Sequence, residues 1–111
     1  MINGTLIGHV GNQPELRTTP NGKKVAVFSL AINNRRRDTT TWFKIEAWNG
    51  LGEKVVMPYV KKGDPVAVTI QDLTLETWNA KEGGEARGMM VVTADEIELL
   101  GGGASEEQAP F

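Results

Sequence analysis

Residues 40–48 (Thr-Thr-Trp-Phe-Lys-Ile-Glu-Ala-Trp) alternate strictly, with Phe43, Ile45 and Ala47 on one face and Trp42, Lys44, Glu46 and Trp48 on the other. A face meant only for water has no use for two indoles beside a lysine, because large exposed apolar area is the informative exception in a soluble protein. Trp78 also falls on the polar side of its segment, with Asp72, Thr74 and Glu76. Indoles offer flat surfaces for stacking, and Arg35, Arg36, Arg37, Lys44, Lys24 and Arg87 offer cations for anions. A single nucleic-acid strand presents both complements, exposed base faces and a string of phosphates, and stacking contributes about 1–3 kcal/mol per base. Arginine can itself stack, so the run at 35–37 suits either task. Two plainer accounts stay open: the arginine run as a solvated hairpin tip, and the indoles as surfaces covered by another subunit, a loop or a helix.

Catalysis has little to build on. The chain contains no cysteine, which excludes a disulfide scaffold, a thiolate zinc site and a cysteine nucleophile, and a single histidine, His9, is too few for a histidine-based metal site. Glu46 and Glu76 could be drawn as a carboxylate pair, but acidic residues on strand exteriors are ordinarily solvated. Neither a phosphate-binding glycine loop nor a nucleophile elbow occurs. The expectation is a protein that is not an enzyme and uses no cofactor or metal, with His9 a surface residue. No apolar run approaches the ~18 residues of a membrane span, and the first residues lack the pattern of a signal peptide, so the expected compartment is the cytoplasm.

The elements that must position these residues read as strands. Val, Thr and Ile number 26 among 111 residues and glycines number 13, a mixture of β-branched residues and turn formers. Ile2–Val10 reads as a first strand, ended at Gly11-Asn12-Gln13-Pro14 and continued by Glu15–Thr19. Pro20-Asn21-Gly22 signals a hairpin through a tight primed turn. Lys24–Ile32 follows, with Ala26, Phe28, Leu30 and Ile32 on one face, then the loop Asn33–Thr39 and the strand Thr40–Trp48. Asn49–Lys62 has a short helical pattern that Pro58 should kink or shorten. From Pro65 the apolar residues occupy even positions (Val66, Val68, Ile70) and then odd ones (Leu73, Leu75), which predicts a bulge near Gln71-Asp72. Ala80–Gly84 reads as a hairpin loop, Ala86–Thr93 as the returning strand, and Asp95–Leu100 as one more short strand.

About five strands with one helical connector between the third and fourth is the element order of an oligonucleotide-binding barrel, an all-β fold. Residues 1–100 are the expected domain and 101–111 a flexible Gly-rich, acidic tail. The charge is polarised: residues 1–62 carry +6 and residues 63–111 carry −8, leaving −2 overall. A basic surface can therefore coexist with an acidic one.

The ordered series Leu6-Ile7-Gly8-His9-Val10-Gly11, Pro14-Glu15-Leu16-Arg17, Pro20-Asn21-Gly22, Val25-Ala26 with Phe28-Ser29-Leu30-Ala31, Thr41-Trp42, Trp48, Tyr59 with Lys62-Gly63, and Trp78 resembles the bacterial single-stranded DNA-binding protein family over residues 1–100. The resemblance implies an oligonucleotide-binding fold, assembly as a homotetramer (a dimer stays open), nucleoid association, and stacking of Trp42, Trp48 and Trp78 on DNA bases during replication, recombination and repair. It departs from the family in placing Arg36 near a position where some members carry a further aromatic. Ile70-Gln71-Asp72 makes the fourth strand one residue longer and lacks a usual glycine, and Thr74-Leu75-Glu76-Thr77 replaces basic residues.

The resemblance also implies that an acidic tip ending in Pro-Phe recruits replication and repair proteins, here through Glu106, Glu107, Pro110 and Phe111. The acidic block is short and Ala109 stands where a larger apolar residue is common. Two rival readings remain at this point: a specialised primosomal, plasmid or phage paralogue of the same fold, and an oligomeric assembly module whose tryptophans lie between subunits.

Overall fold

The computed structural model describes residues 2–79 and 86–101, with the backbone alone for residues 78, 79, 86 and 87. The expected loop Ala80–Gly84 and the tail residues Glu106, Glu107, Pro110 and Phe111 lie outside the described residues. The strands are β1 (Thr5–Val10), β2 (Glu15–Thr18), β3 (Lys24–Asn34), β4 (Thr39–Trp48), β5 (Pro65–Asn79) and β6 (Ala86–Leu99). They form one sheet in the order β1-β5-β6-β4-β3-β2, which β1–β3 pairing closes. Five strands make the ring, and β2 lies outside it, paired with β3. All pairings are antiparallel except β4 with β6, so the barrel is mixed.

Alternation builds the core. Ala26, Phe28 and Leu30 on β3 meet Ile45 and Ala47 on β4, Val66 and Val68 on β5, and Val92, Ala94 and Ile97 on β6, all buried in one cluster. Burying each Phe, Leu, Ile or Val stabilises the fold by roughly 1.5–3 kcal/mol. One end of the barrel is covered by a helical connector, Leu51–Val56 in π-helical turns and then Met57–Tyr59 as a single α turn, which adds the buried Val56 and Val60. Pro58 sits in the first turn of that α segment, where a missing N–H is least costly, and Val60 returns to extended backbone. Pro58 thus accompanies a short helix, as its position predicts.

Of three local expectations, two need refinement and one is met. The hairpin turn is not the primed type. Gly22 alone there has a positive φ, +85°, and Asn21 does not. Gly22 N–H donates to Thr19 O at 2.9 Å and Thr19 N–H to Lys23 O at 2.8 Å, the pattern of a three-residue loop with glycine in the left-handed position. The bulge predicted near Gln71-Asp72 is present, as register shifts at Thr69/Ile70 and Ile70/Asp72. The residues expected as a separate last strand continue β6 without a break.

Candidate nucleic-acid interface

On β4, Ile45 and Ala47 are buried in the barrel, while Trp42, Lys44, Glu46 and Trp48 take the outer face. Their partners on β3 are Ala31 beside Trp42, Ser29 beside Lys44, Val27 beside Glu46 and Val25 beside Trp48. Each indole therefore lies next to a short apolar side chain. Trp48 lies six positions along the extended strand from Trp42, about 20 Å along the face.

Trp42 is 48% exposed. Its ring lies against Gly11, at the exit of β1. Asn12 fixes that exit, since its Oδ1 accepts from the Ser29 backbone N–H at 2.7 Å and from the Ser29 hydroxyl at 2.6 Å. Gly11 N–H donates to Ser29 O at 2.9 Å. The loop behind Trp42 carries Arg35, Arg36 and Arg37, all exposed. Asn34 Oδ1 accepts from the backbone N–H of Arg36 at 3.1 Å, and Asp38 closes the loop in a left-handed conformation, φ +56°. Among the described residues no carboxylate pairs with these guanidinium groups.

Trp48, at the far end of β4, is half-buried and forms one wall of an open groove of about 600 Å³. Asn21 and Lys23 of the hairpin turn, Asn49, and Gln71 and Asp95 of the β5–β6 ladder complete much of its lining. Asn49 adopts φ +52°, turning the chain sharply from strand to helix directly after the indole.

The cations chosen from sequence separate into groups. Lys44 is engaged: its Nζ lies 3.9 Å from Glu46 Oε2 and 4.0 Å from Glu76 Oε1, so two carboxylates of the outer face share one ammonium. Lys24 is exposed but alternates with Val25, which faces outward beside Trp48, so it is Lys23 that joins the groove. Trp78 and Arg87 are direct partners in the β5–β6 ladder, and their side chains lie outside the described residues. Sequence reasoning missed Lys23, Gln71 and Asp95. The move of apolar positions from Val92 and Ala94 to Ile97 and Leu99 signals a second irregularity at Asp95. No cluster of potential metal ligands occurs among the described residues, and no helix there is long and apolar enough to cross a membrane.

Comparisons with known proteins agree with this architecture. A single-stranded DNA-binding protein of Chlamydia caviae is 32% identical over 111 residues, covering 98% of this chain and 67% of that protein. Single-stranded DNA-binding protein 1 of Nostoc sp. is 33% identical over 112 residues, covering 96% of this chain and 92% of its own length. The crystal structure of a small single-stranded DNA-binding protein from Streptomyces coelicolor superposes with a TM-score of 0.73 at 24% identity, over 89% of this chain and 94% of that one, a likeness of fold. The model of the Single-strand binding protein family matches residues 1–100, the whole of the closed barrel. A mixed five-stranded barrel with its connector after β4, matched from end to end by that family model and by relatives a third identical, belongs to the single-strand binding protein family.

Proposed function

We propose that this chain coats and protects single-stranded DNA during replication, recombination and repair, stacking bases on Trp42, Trp48 and Trp78 and pairing phosphates with Arg35, Arg36, Arg37, Lys44, Lys24 and Arg87. The observation that carries the reading is the outer face of β4, where a 48%-exposed Trp42 shares a strand face with Trp48 on the strand that leads out of an arginine loop that no described carboxylate neutralises. A flat aromatic followed by unpaired cations is what a sequence-tolerant single-strand groove requires. Family membership supports the same ligand.

Self-association is part of the proposal. Ile7, on β1, is 60% exposed, an apolar side chain available to a second copy, and the family resemblance favours a homotetramer. Recruitment of replication and repair proteins through Glu106, Glu107, Pro110 and Phe111 completes it. The deciding experiment is a titration with oligo-dT followed by intrinsic tryptophan fluorescence. Strong quenching by the single strand and weak quenching by duplex DNA is expected. Equal quenching by both, or none by either, would sink the stacking model.

A further inference from the structure

The β5–β6 ladder skips one residue on each strand. Between the pairs Thr69 with Glu96 and Ile70 with Ala94, Asp95 has no partner. Between Ile70 with Ala94 and Asp72 with Thr93, Gln71 has none. Bulges of this kind re-aim side chains and occur preferentially beside functional sites. Here both unpaired residues line the same groove as Trp48.

That groove differs chemically from the surface around Trp42. Beside the half-buried indole it gathers a carboxylate, Asp95, three carboxamides, Asn21, Asn49 and Gln71, and one ammonium, Lys23. An ionised carboxylate only accepts hydrogen bonds, whereas a carboxamide can donate or accept. A base stacked on Trp48 therefore shares the groove with one obligate acceptor, three adaptable carboxamides and one cation. Cytosine presents the amino group N4 and adenine N6, both donors, while thymine presents the carbonyl O4 at the equivalent place. Set against that substituent, Asp95 accepts from the amino group of the first two and repels the oxygen of the third, whose own donor, N3–H, lies one atom further along the edge.

We infer that the groove beside Trp48 is a base-selective subsite, in which Asp95, pushed out of the ladder by its bulge, favours an amino-bearing base over thymine. The inference rests on the single-strand-binding reading and adds to it a position at which binding is not indifferent to sequence. Trp42 stacks any base; Trp48 stacks and Asp95 reads. Gln71 supports the subsite by offering its carboxamide to the remaining polar atoms of the base edge.

The test compares affinities for oligo-dC and oligo-dT of equal length in the wild type, Asp95→Asn and Asp72→Asn. Taking the ratio of the two affinities within each protein cancels the general gain from removing a negative charge. Changes in the ratio between proteins cancel the intrinsic difference in stacking between the two oligomers. Asp95→Asn should lower the dC-to-dT ratio by roughly fivefold or more, the scale of one charged base-edge hydrogen bond. Asp72→Asn removes an exposed carboxylate that is paired in the ladder with Thr93 and should leave the ratio unchanged. Both positions are exposed and both changes are near-isosteric, so melting curves should superpose. An unchanged ratio in Asp95→Asn, or an equal fall in Asp72→Asn, overturns the subsite while leaving single-strand binding intact. Failure of the wild type to bind either oligomer overturns the single-strand reading and this inference with it.

Discussion

Gly11 and Trp42 occupy one another's space: a β-carbon on Gly11 would stand 2.5 Å from Cζ3 of the Trp42 ring. The indole of β4 nearer in the chain to the arginine loop is therefore seated on the exit of β1, a segment 31 residues away. Gly11→Ala should push the ring outward, because the same β-carbon would stand 2.7 Å from Ser29 Oγ, which Asn12 holds by a hydrogen bond, and the far edge of an exposed indole yields more readily. The expected result is a shift in tryptophan emission and weaker binding to oligo-dT, with the cooperative unfolding transition retained. Unaltered emission and affinity would mean that the ring has room to rotate without consequence.

Trp42→Ala and Trp48→Ala should separate binding from stability. Each removes one stacking surface and should weaken single-strand binding by about 1–3 kcal/mol. Trp42 is about half exposed and should barely alter the melting temperature, whereas Trp48 is more buried, beside Val25, and its truncation leaves a void costing about 1–2 kcal/mol. Calorimetry paired with titration checks both quantities. Dissociation of an oligomer by Trp42→Ala, with DNA affinity unchanged, would favour the assembly reading.

Period-two alternation made the faces of β4 legible, since only one of them is buried and a shift by one residue would reverse every side chain, whereas on β3 Val25 and Val27 of the outer face are buried along with Ala26 and Phe28 of the inner one. The bulge at Gln71 was legible for the same reason, as the apolar residues change parity between Ile70 and Leu73. Its counterpart at Asp95 produces the same signature, but a short strand after a break accounts for that pattern equally well. The pairing of Lys44 with Glu76 was not legible. It depends on β6 lying between β4 and β5, and so on a parallel pairing of distant segments that alternation within one strand cannot reveal. Lys23 was hidden by its place in a turn, where no periodicity assigns a side chain to a face.

Replacing Arg35, Arg36 and Arg37 together with Ala should reduce affinity and flatten its salt dependence. Each single-strand phosphate that the protein no longer neutralises takes about 0.7 off the slope of log K against log salt, so three arginines would take off about 2. The loop is held by Asn34 through backbone groups, and the substitutions leave that hydrogen bond in place. Isothermal titrations at several salt concentrations measure the slope directly. A slope equal to that of the wild type would return the run to an ordinary solvated loop.

Deleting residues 104–111 removes Glu106 and Glu107 along with Pro110 and Phe111. DNA affinity should hold or rise slightly at low salt, because two carboxylates no longer compete for the basic groups. Capture of replication and repair proteins on DNA-bound protein should disappear. Identical partner sets for the full and shortened chains would show that this segment has no recruiting role.

The carboxylates around Lys44 give the last prediction, because they set how much of that charge a phosphate can use. Glu46 Oε2 at 3.9 Å and Glu76 Oε1 at 4.0 Å hold the ammonium loosely, at distances where solvent-exposed pairs contribute little to stability. Their larger effect is on the ligand, since an approaching phosphate meets two negative groups on the face where the indoles lie. Glu46→Gln with Glu76→Gln should therefore leave the melting temperature nearly unchanged while tightening oligo-dT binding several-fold at low salt. The slope of log K against log salt should steepen, by up to about 0.7, as the charge of Lys44 that the two carboxylates share becomes fully available to its phosphate. Adding Lys44→Ala to the double variant should remove the extra slope. If the slope steepens even without Lys44, the gain comes from relieved repulsion along the whole face, and Lys44 is a structural partner of the two glutamates rather than a phosphate ligand.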